Sequence, residues 1–108
     1  MSRLVGTLSG RAGVRLLRVA EDDFTEILMY IAADRPSAAE ALATKIEKNL
    51  QLLSQNPHMG RVPKEEELAR LRYRYLVVEN YLIFYTIEGK TIYVHRILHG
   101  ARDYVSLF

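Results

Sequence analysis

Seven consecutive residues, Tyr81-Leu82-Ile83-Phe84-Tyr85-Thr86-Ile87, restrict most severely what this chain can fold into. They are aliphatic, aromatic or β-branched throughout and present no polar face. Successive side chains of a strand point to opposite sides, so this run demands apolar cover on both faces of a sheet. Its short length and β-rich composition select a strand over a buried helix. Glu88-Gly89-Lys90 then supplies a glycine for a reversal, and Thr91 to Leu98 returns as a second strand. That strand runs into His99-Gly100-Ala101-Arg102-Asp103-Tyr104, where imidazole, guanidinium and phenol follow directly on an apolar stretch. A rigid element delivering such groups to its end is a sound way to build a site.

A third strand is predicted from Leu71 to Val78. Arg72, Arg74, Leu76 and Val78 would share one face, and Tyr73, Tyr75 and Val77 the other. Glu79-Asn80 links it to the central strand, with the asparagine suited to left-handed turn geometry. A meander of three antiparallel strands cannot bury itself, so its cover must come from earlier in the chain. There Phe24, Ile27, Leu28 and Ile31 recur at helical spacing, with Glu21, Asp22 and Asp23 expected in the first turn of that helix. Asp34-Arg35-Pro36 ends it, because the residue before a proline is pushed out of helical geometry. Ser37 and Glu40 have the spacing of a capping box. A second helix is predicted from Ala38 to about Gln55, with Ala39, Leu42, Ile46, Leu50 and Leu53 facing inward, and Asn56-Pro57 stops it. So short a link makes the two helices antiparallel neighbours. Val14 to Val19 reads as a further short strand.

The expected fold is therefore α+β in the order β-α-α-β-β-β: an N-terminal strand, then an antiparallel helical hairpin packed on one face of an antiparallel sheet that ends in a three-strand meander. One domain is expected over residues 13–108, with residues 1–12 as a loose N-terminal extension. A chain of 108 residues suffices for one such core.

Charge narrows the partners. The formal net charge is only +2, but it is unevenly spread. Arg3, Arg11, Arg15 and Arg18 precede the first acid, and Arg70, Arg72 and Arg74 alternate without one. Such patches suit an anionic partner, nucleic acid or an acidic protein, or else a plain solvated surface. With no cysteine, disulfides and thiolate metal sites are excluded, in keeping with a reducing cytosol. No run of about 18 apolar residues is present to span a membrane. Met1 to Gly10 lacks the apolar core and cleavage pattern of a secretory signal, so a cytoplasmic location is expected.

An ordered set of short pieces resembles the RelE/ParE superfamily of bacterial toxins, the toxic halves of type II toxin–antitoxin pairs. It comprises Glu26-Ile27 with Tyr30-Ile31-Ala32, Ala38-Ala39, Leu53 with Asn56-Pro57, Gly60-Arg61 and Arg74. Tyr81 to Tyr85 and Arg96-Ile97-Leu98-His99-Gly100-Ala101-Arg102-Asp103 complete it, so the likeness spans roughly Val14 to Tyr104. A Ser-Pro pair frequent in the family near Leu17-Arg18 is absent here. The resemblance implies a cytoplasmic poison held inactive by a cognate antitoxin in a hetero-oligomer. It also implies one of two targets: RelE-like members cleave mRNA in the ribosomal A site, and ParE-like members act on DNA gyrase. The order His99-Gly100-Ala101-Arg102-Asp103 resembles the ParE side, which makes gyrase the expected target. A RelE-like ribosome-dependent endoribonuclease is the alternative, and an attenuated homologue acting as an antitoxin-binding co-repressor is the second. The antitoxin is expected to cross the helical hairpin and the sheet edge by helix-in-groove and strand-addition contacts.

RNA cleavage by 2′-hydroxyl attack without a metal requires a base, a proton donor and cations for the charge gathering on phosphorus. Should the nuclease reading hold, Arg74, His99, Arg102 and Tyr104 are the candidate catalytic groups. Arg61, Arg70, Arg72, Arg74 and Arg96 are the candidate contacts to the target or to nucleic acid. Histidine is the natural proton shuttle because an unperturbed imidazole titrates near neutrality, and His99 is equally suited to fixing the turn at Gly100. Likewise Asp103 can simply hold the loop before it or pair with an arginine. His95 and His99 are separated along a strand by about 13 Å, too far to share one ion, and neither a metal nor another cofactor is expected. Tyr81 and Tyr85 read as core, whereas Tyr73 and Tyr75 are open to either packing or base stacking.

Overall fold

The apolar run forms strand β3 (Tyr81–Glu88) in the interior of a four-stranded sheet. The computed structural model describes residues 13–108, so the expected extension over residues 1–12 lies outside the described residues. In chain order, β1 (Gly13–Leu16) is followed by α1 (Arg18–Ala32) and α2 (Pro36–Gln55). A 3-10 turn (Pro57–Met59) and the short helix α3 (Glu66–Arg70) come next. Then β2 (Arg74–Val78), β3, β4 (Thr91–His99) and a final 3-10 turn (Val105–Leu107) complete the chain. The strands lie in the order β1-β4-β3-β2. The meander β2-β3-β4 is antiparallel, as predicted. At the far edge β1 runs parallel to β4, pairing Val14 with Ile92 and Leu16 with Val94. The sheet is thus mixed rather than wholly antiparallel, because the long route through the helices lets the chain return beside β1 in the same sense.

Both faces of β3 are covered. Leu42, Ile46, Leu50 and Leu53 of α2 and Phe24 of α1 pack on one face, against Ile83, Tyr85, Ile92, Val94 and Ile97. On the other, Leu68 of α3 meets Phe84 and Leu98, with Tyr73, Tyr75, Tyr104 and Val105 around them. Helices alone do not account for the two-sided apolar run. The second cover comes from α3 and the C-terminal turn, which brings Tyr104 and Phe108 to 5.1 and 5.0 Å from the Phe84 ring.

A register break makes this possible. Tyr85 pairs with Val94 and Phe84 with Arg96, which leaves His95 as the extra residue of a β-bulge. Before it, Ile92 and Val94 face the helices; after it, Ile97 does and Leu98 turns to the opposite side.

Three local expectations are corrected. Helix α1 starts at Arg18, so of the three acids only Glu21 falls in its first turn, and Asp23 is placed for another use. Helix α2 starts at Pro36 with Ser37 already inside it, and no side chain caps it. The proline takes the first helical position, where its missing N–H is no loss, and the amides of Ala38 and Ala39 bond the Arg35 carbonyl at 3.1 and 3.2 Å. In the β2–β3 turn Glu79, not Asn80, adopts the left-handed conformation, with φ of 55°. Its carboxylate pairs with Lys45 of α2, and the carbonyl of Asn80 accepts the Gly100 amide at 2.8 Å.

Candidate functional site

The arginines read from the sequence as one strand face are not on one strand. Arg70 is the last residue of α3, and Arg72 lies beyond it with φ of 67°. The amide of Arg72 bonds the Ala69 carbonyl and that of Tyr73 bonds the Leu68 carbonyl, both at 3.0 Å. These are the two bonds of a Schellman helix end, and Tyr73 packs against the cluster that contains Leu68. Arg72 thus holds the left-handed position that such ends usually give to glycine. Only Arg74 belongs to β2. Alternation in the sequence therefore reflected a helix cap followed by a strand.

Tyr85 and Arg74 latch the loop beside this helix end. The buried Tyr85 hydroxyl donates to the Pro57 carbonyl at 2.7 Å and accepts the Gly60 amide at 2.9 Å. Burial chiefly holds this phenol above its ordinary 10.0, opposed by the Gly60 amide and by Arg74. A side chain on Gly60 would collide with the ring, its Cβ only 2.7 Å from Cε1. Arg74 Nη1 donates to the carbonyls of Gly60 at 2.9 Å and His58 at 3.3 Å. Arg61 extends the sheet edge by a two-way backbone bridge to Tyr75, at 2.8 and 2.9 Å, and is itself exposed. The result is a cavity of about 350 Å³ lined by His58, Val62, Ala69, Arg72, Tyr73, Arg74 and Ile87.

The other basic groups lie elsewhere. Arg96 Nε and Nη2 donate to Asp23 Oδ2 and Oδ1 at 2.8 and 2.9 Å. Asp23 Oδ2 also accepts the Ile97 amide at 3.0 Å. The pair is largely buried, and the bond to Asp23 raises the Arg96 pKa above its ordinary value. Arg96 thus joins β4 to α1. His99, at the end of β4, accepts the Ala101 amide on Nδ1 at 3.1 Å and meets the Tyr81 ring edge-on at 5.4 Å. It lines a second groove, of about 520 Å³, with Arg102 and Arg96 but also with Asp23 and Glu26. Tyr104 sits on the opposite face of the sheet and donates to Glu65 Oε2 at 3.0 Å. Burial first, then Glu65, raises its pKa and keeps it a donor.

The candidate catalytic groups do not converge. Arg74 is opposite Tyr85 and His99 opposite Tyr81, four residues apart along β3, or about 13 Å. Tyr104 is on the other side of the sheet from Ile83, Tyr85 and the helices. Among the described residues no three His, Asp or Glu side chains gather as metal ligands, and no helix is long and apolar enough to cross a membrane. His95 and His99 have separate surroundings: His95 contacts Thr86 Oγ1 at 2.9 Å and the Tyr73 hydroxyl at 3.3 Å.

Sequence reasoning missed three contributors. Asp23 looked like a helix-dipole carboxylate, and its partner lies 73 residues away. His58 gave no signal beyond its turn-rich loop. Tyr30 carries the family-like pattern of α1, yet it is 84% exposed beside Met29 at 68%. Tyr30 and Tyr81 line both the groove with Arg102 and a neighbouring one of about 650 Å³ that includes Asp34, Arg35, Glu79 and Asn80.

The fold agrees with a solved structure titled "Chromosomal ParDE TA system from P. aeruginosa". The TM-score is 0.69 at 21% identity, over 82% of this chain and 96% of that chain. No curated protein shows significant similarity to the chain. The family model described as the ParE toxin of the type II toxin–antitoxin system parDE matches residues 14–104. With that match running from β1 through β4 to Tyr104, the chain belongs to the ParE toxin family.

Proposed function

We propose that this protein poisons a protein target, DNA gyrase, without hydrolytic chemistry of its own, and that a cognate antitoxin neutralises it. The observation that carries this choice is the scatter of Arg74, His99, Arg102 and Tyr104 over two ends and two faces of the sheet. General acid–base cleavage needs its groups within hydrogen-bonding reach of one phosphate, and here His99 and Tyr104 are bonded to separate local partners. A surface that grips a macromolecule needs no such convergence. For the antitoxin, the prominent apolar feature is the exposed pair Met29 and Tyr30 beside the two grooves. An amphipathic segment laid across α1 there would bury both side chains.

Purified protein is expected to inhibit supercoiling by DNA gyrase, and induced cells are expected to filament with a DNA-damage response while translation continues. A His99→Ala variant should retain that toxicity. Abrupt translation arrest with mRNA cut at codon edges, abolished by His99→Ala in a folded protein, would move the assignment to the ribosome-dependent nuclease. Harmless expression of a folded chain would favour the co-repressor.

A further inference from the structure

Left-handed backbone is unfavourable for a side chain with a Cβ, and where it persists it often accompanies a function. Arg72 is such a residue, in a helix end that glycine would satisfy better. Its guanidinium has no partner among the described residues and lines the 350 Å³ cavity. Arg74 beside it is held by Nη1 on two loop carbonyls, leaving Nε and Nη2 without protein partners among the described residues. No carboxylate lines this cavity, in contrast to the groove at Arg102, where Asp23 and Glu26 offset the cations. The remaining walls are His58, Val62, Ala69, Tyr73 and Ile87. Two arginines lining one cavity with a largely apolar, partly aromatic wall favour an anion carried on an apolar or flat body. Planar guanidiniums bind phosphate oxygens through paired N–H donors. The volume lies at the small end of the roughly 300–1,000 Å³ usual for ligand sites.

We propose that this cavity binds a small phosphate ester, its phosphate on Arg72 and Arg74 and its body against Val62, Ile87 and Tyr73. The strain at Arg72 is then retained for the guanidinium that the position supplies. This assignment does not rest on which macromolecule the toxin attacks.

Isothermal titration of the full chain with AMP, inorganic phosphate and adenosine tests it. Saturable binding of AMP, weaker binding of phosphate and none of adenosine are expected. Equal affinity for AMP and phosphate would also support the anion site and assign it to the free ion. Arg72→Gly should melt at a higher temperature yet bind AMP about tenfold more weakly or worse, separating loss of the ligand from loss of the fold. Arg15→Gln, which removes one charge from β1 at the opposite sheet edge, should bind as the unaltered chain does. The proposal is overturned if neither AMP nor phosphate binds saturably. It is equally overturned if Arg72→Gly keeps full affinity, or if Arg15→Gln weakens binding as much.

Discussion

Two residues trade stability against position. Arg72 is the first: glycine at the left-handed helix end should stabilise the protein by about 1 kcal/mol, a rise of roughly 4–6 °C in Tm for a domain of this size. Differential scanning calorimetry of Arg72→Gly measures it. His95 is the second. Burial against Tyr73 and Thr86 lowers its pKa from the ordinary 6.5, with Glu88 opposing. A base with a depressed folded pKa takes up its proton more readily when unfolded, so the stability it supports is intact above pH 6.5 and is lost as pH falls through the lower folded value. Urea midpoints across that window should fall more for the unaltered chain than for His95→Gln. Neither effect was legible in the sequence. An arginine every second residue from Arg70 to Arg74 has the period of a strand, and only the bonds from Arg72 and Tyr73 back into α3 separate a helix end from it.

Elements with a local period were legible; the joints between them were not. Phe24, Leu42, Ile46, Leu50 and Leu53 repeat at helical spacing and are all buried. The meander follows from apolar runs separated by two-residue turns. The joint between α1 and β4, however, is Asp23 with Arg96, and nothing local to either residue announces the other. Asp23→Ala would remove three hydrogen bonds at once and leave Arg96 largely buried without its counter-ion. A loss of about 2–3 kcal/mol is expected by chemical denaturation, toward the low end for a broken buried pair because both side chains keep some contact with water. Adding Arg96→Met should restore part of it, since the stranded charge is then gone. The second cover of the sheet was hidden for the same reason: α3 and the C-terminal turn are too short to show a period, yet they bury Phe84 and Leu98.

On the scale of the whole molecule, the basic groups split between a cavity at the start of β2 and a groove at the end of β4, while the exposed apolar residues of α1 flank the latter. If the antitoxin crosses α1, Tyr30→Ala should weaken the complex by roughly 1–2 kcal/mol or more, as removal of a central aromatic anchor does. It should leave the free toxin's stability nearly unchanged, because the ring is 84% exposed. Binding measured against the cognate antitoxin, with a melting curve of the free protein alongside, checks both halves. The inserted residue at His95 has a consequence for comparing this chain with its relatives. It acts as a half-turn phase shift, so the side from which His99 emerges is set by one position in mid-strand. A relative of the same length that pairs this position regularly, without the bulge, would display its closing histidine and arginine on the reverse side, and residues that align letter for letter would then not be spatial equivalents.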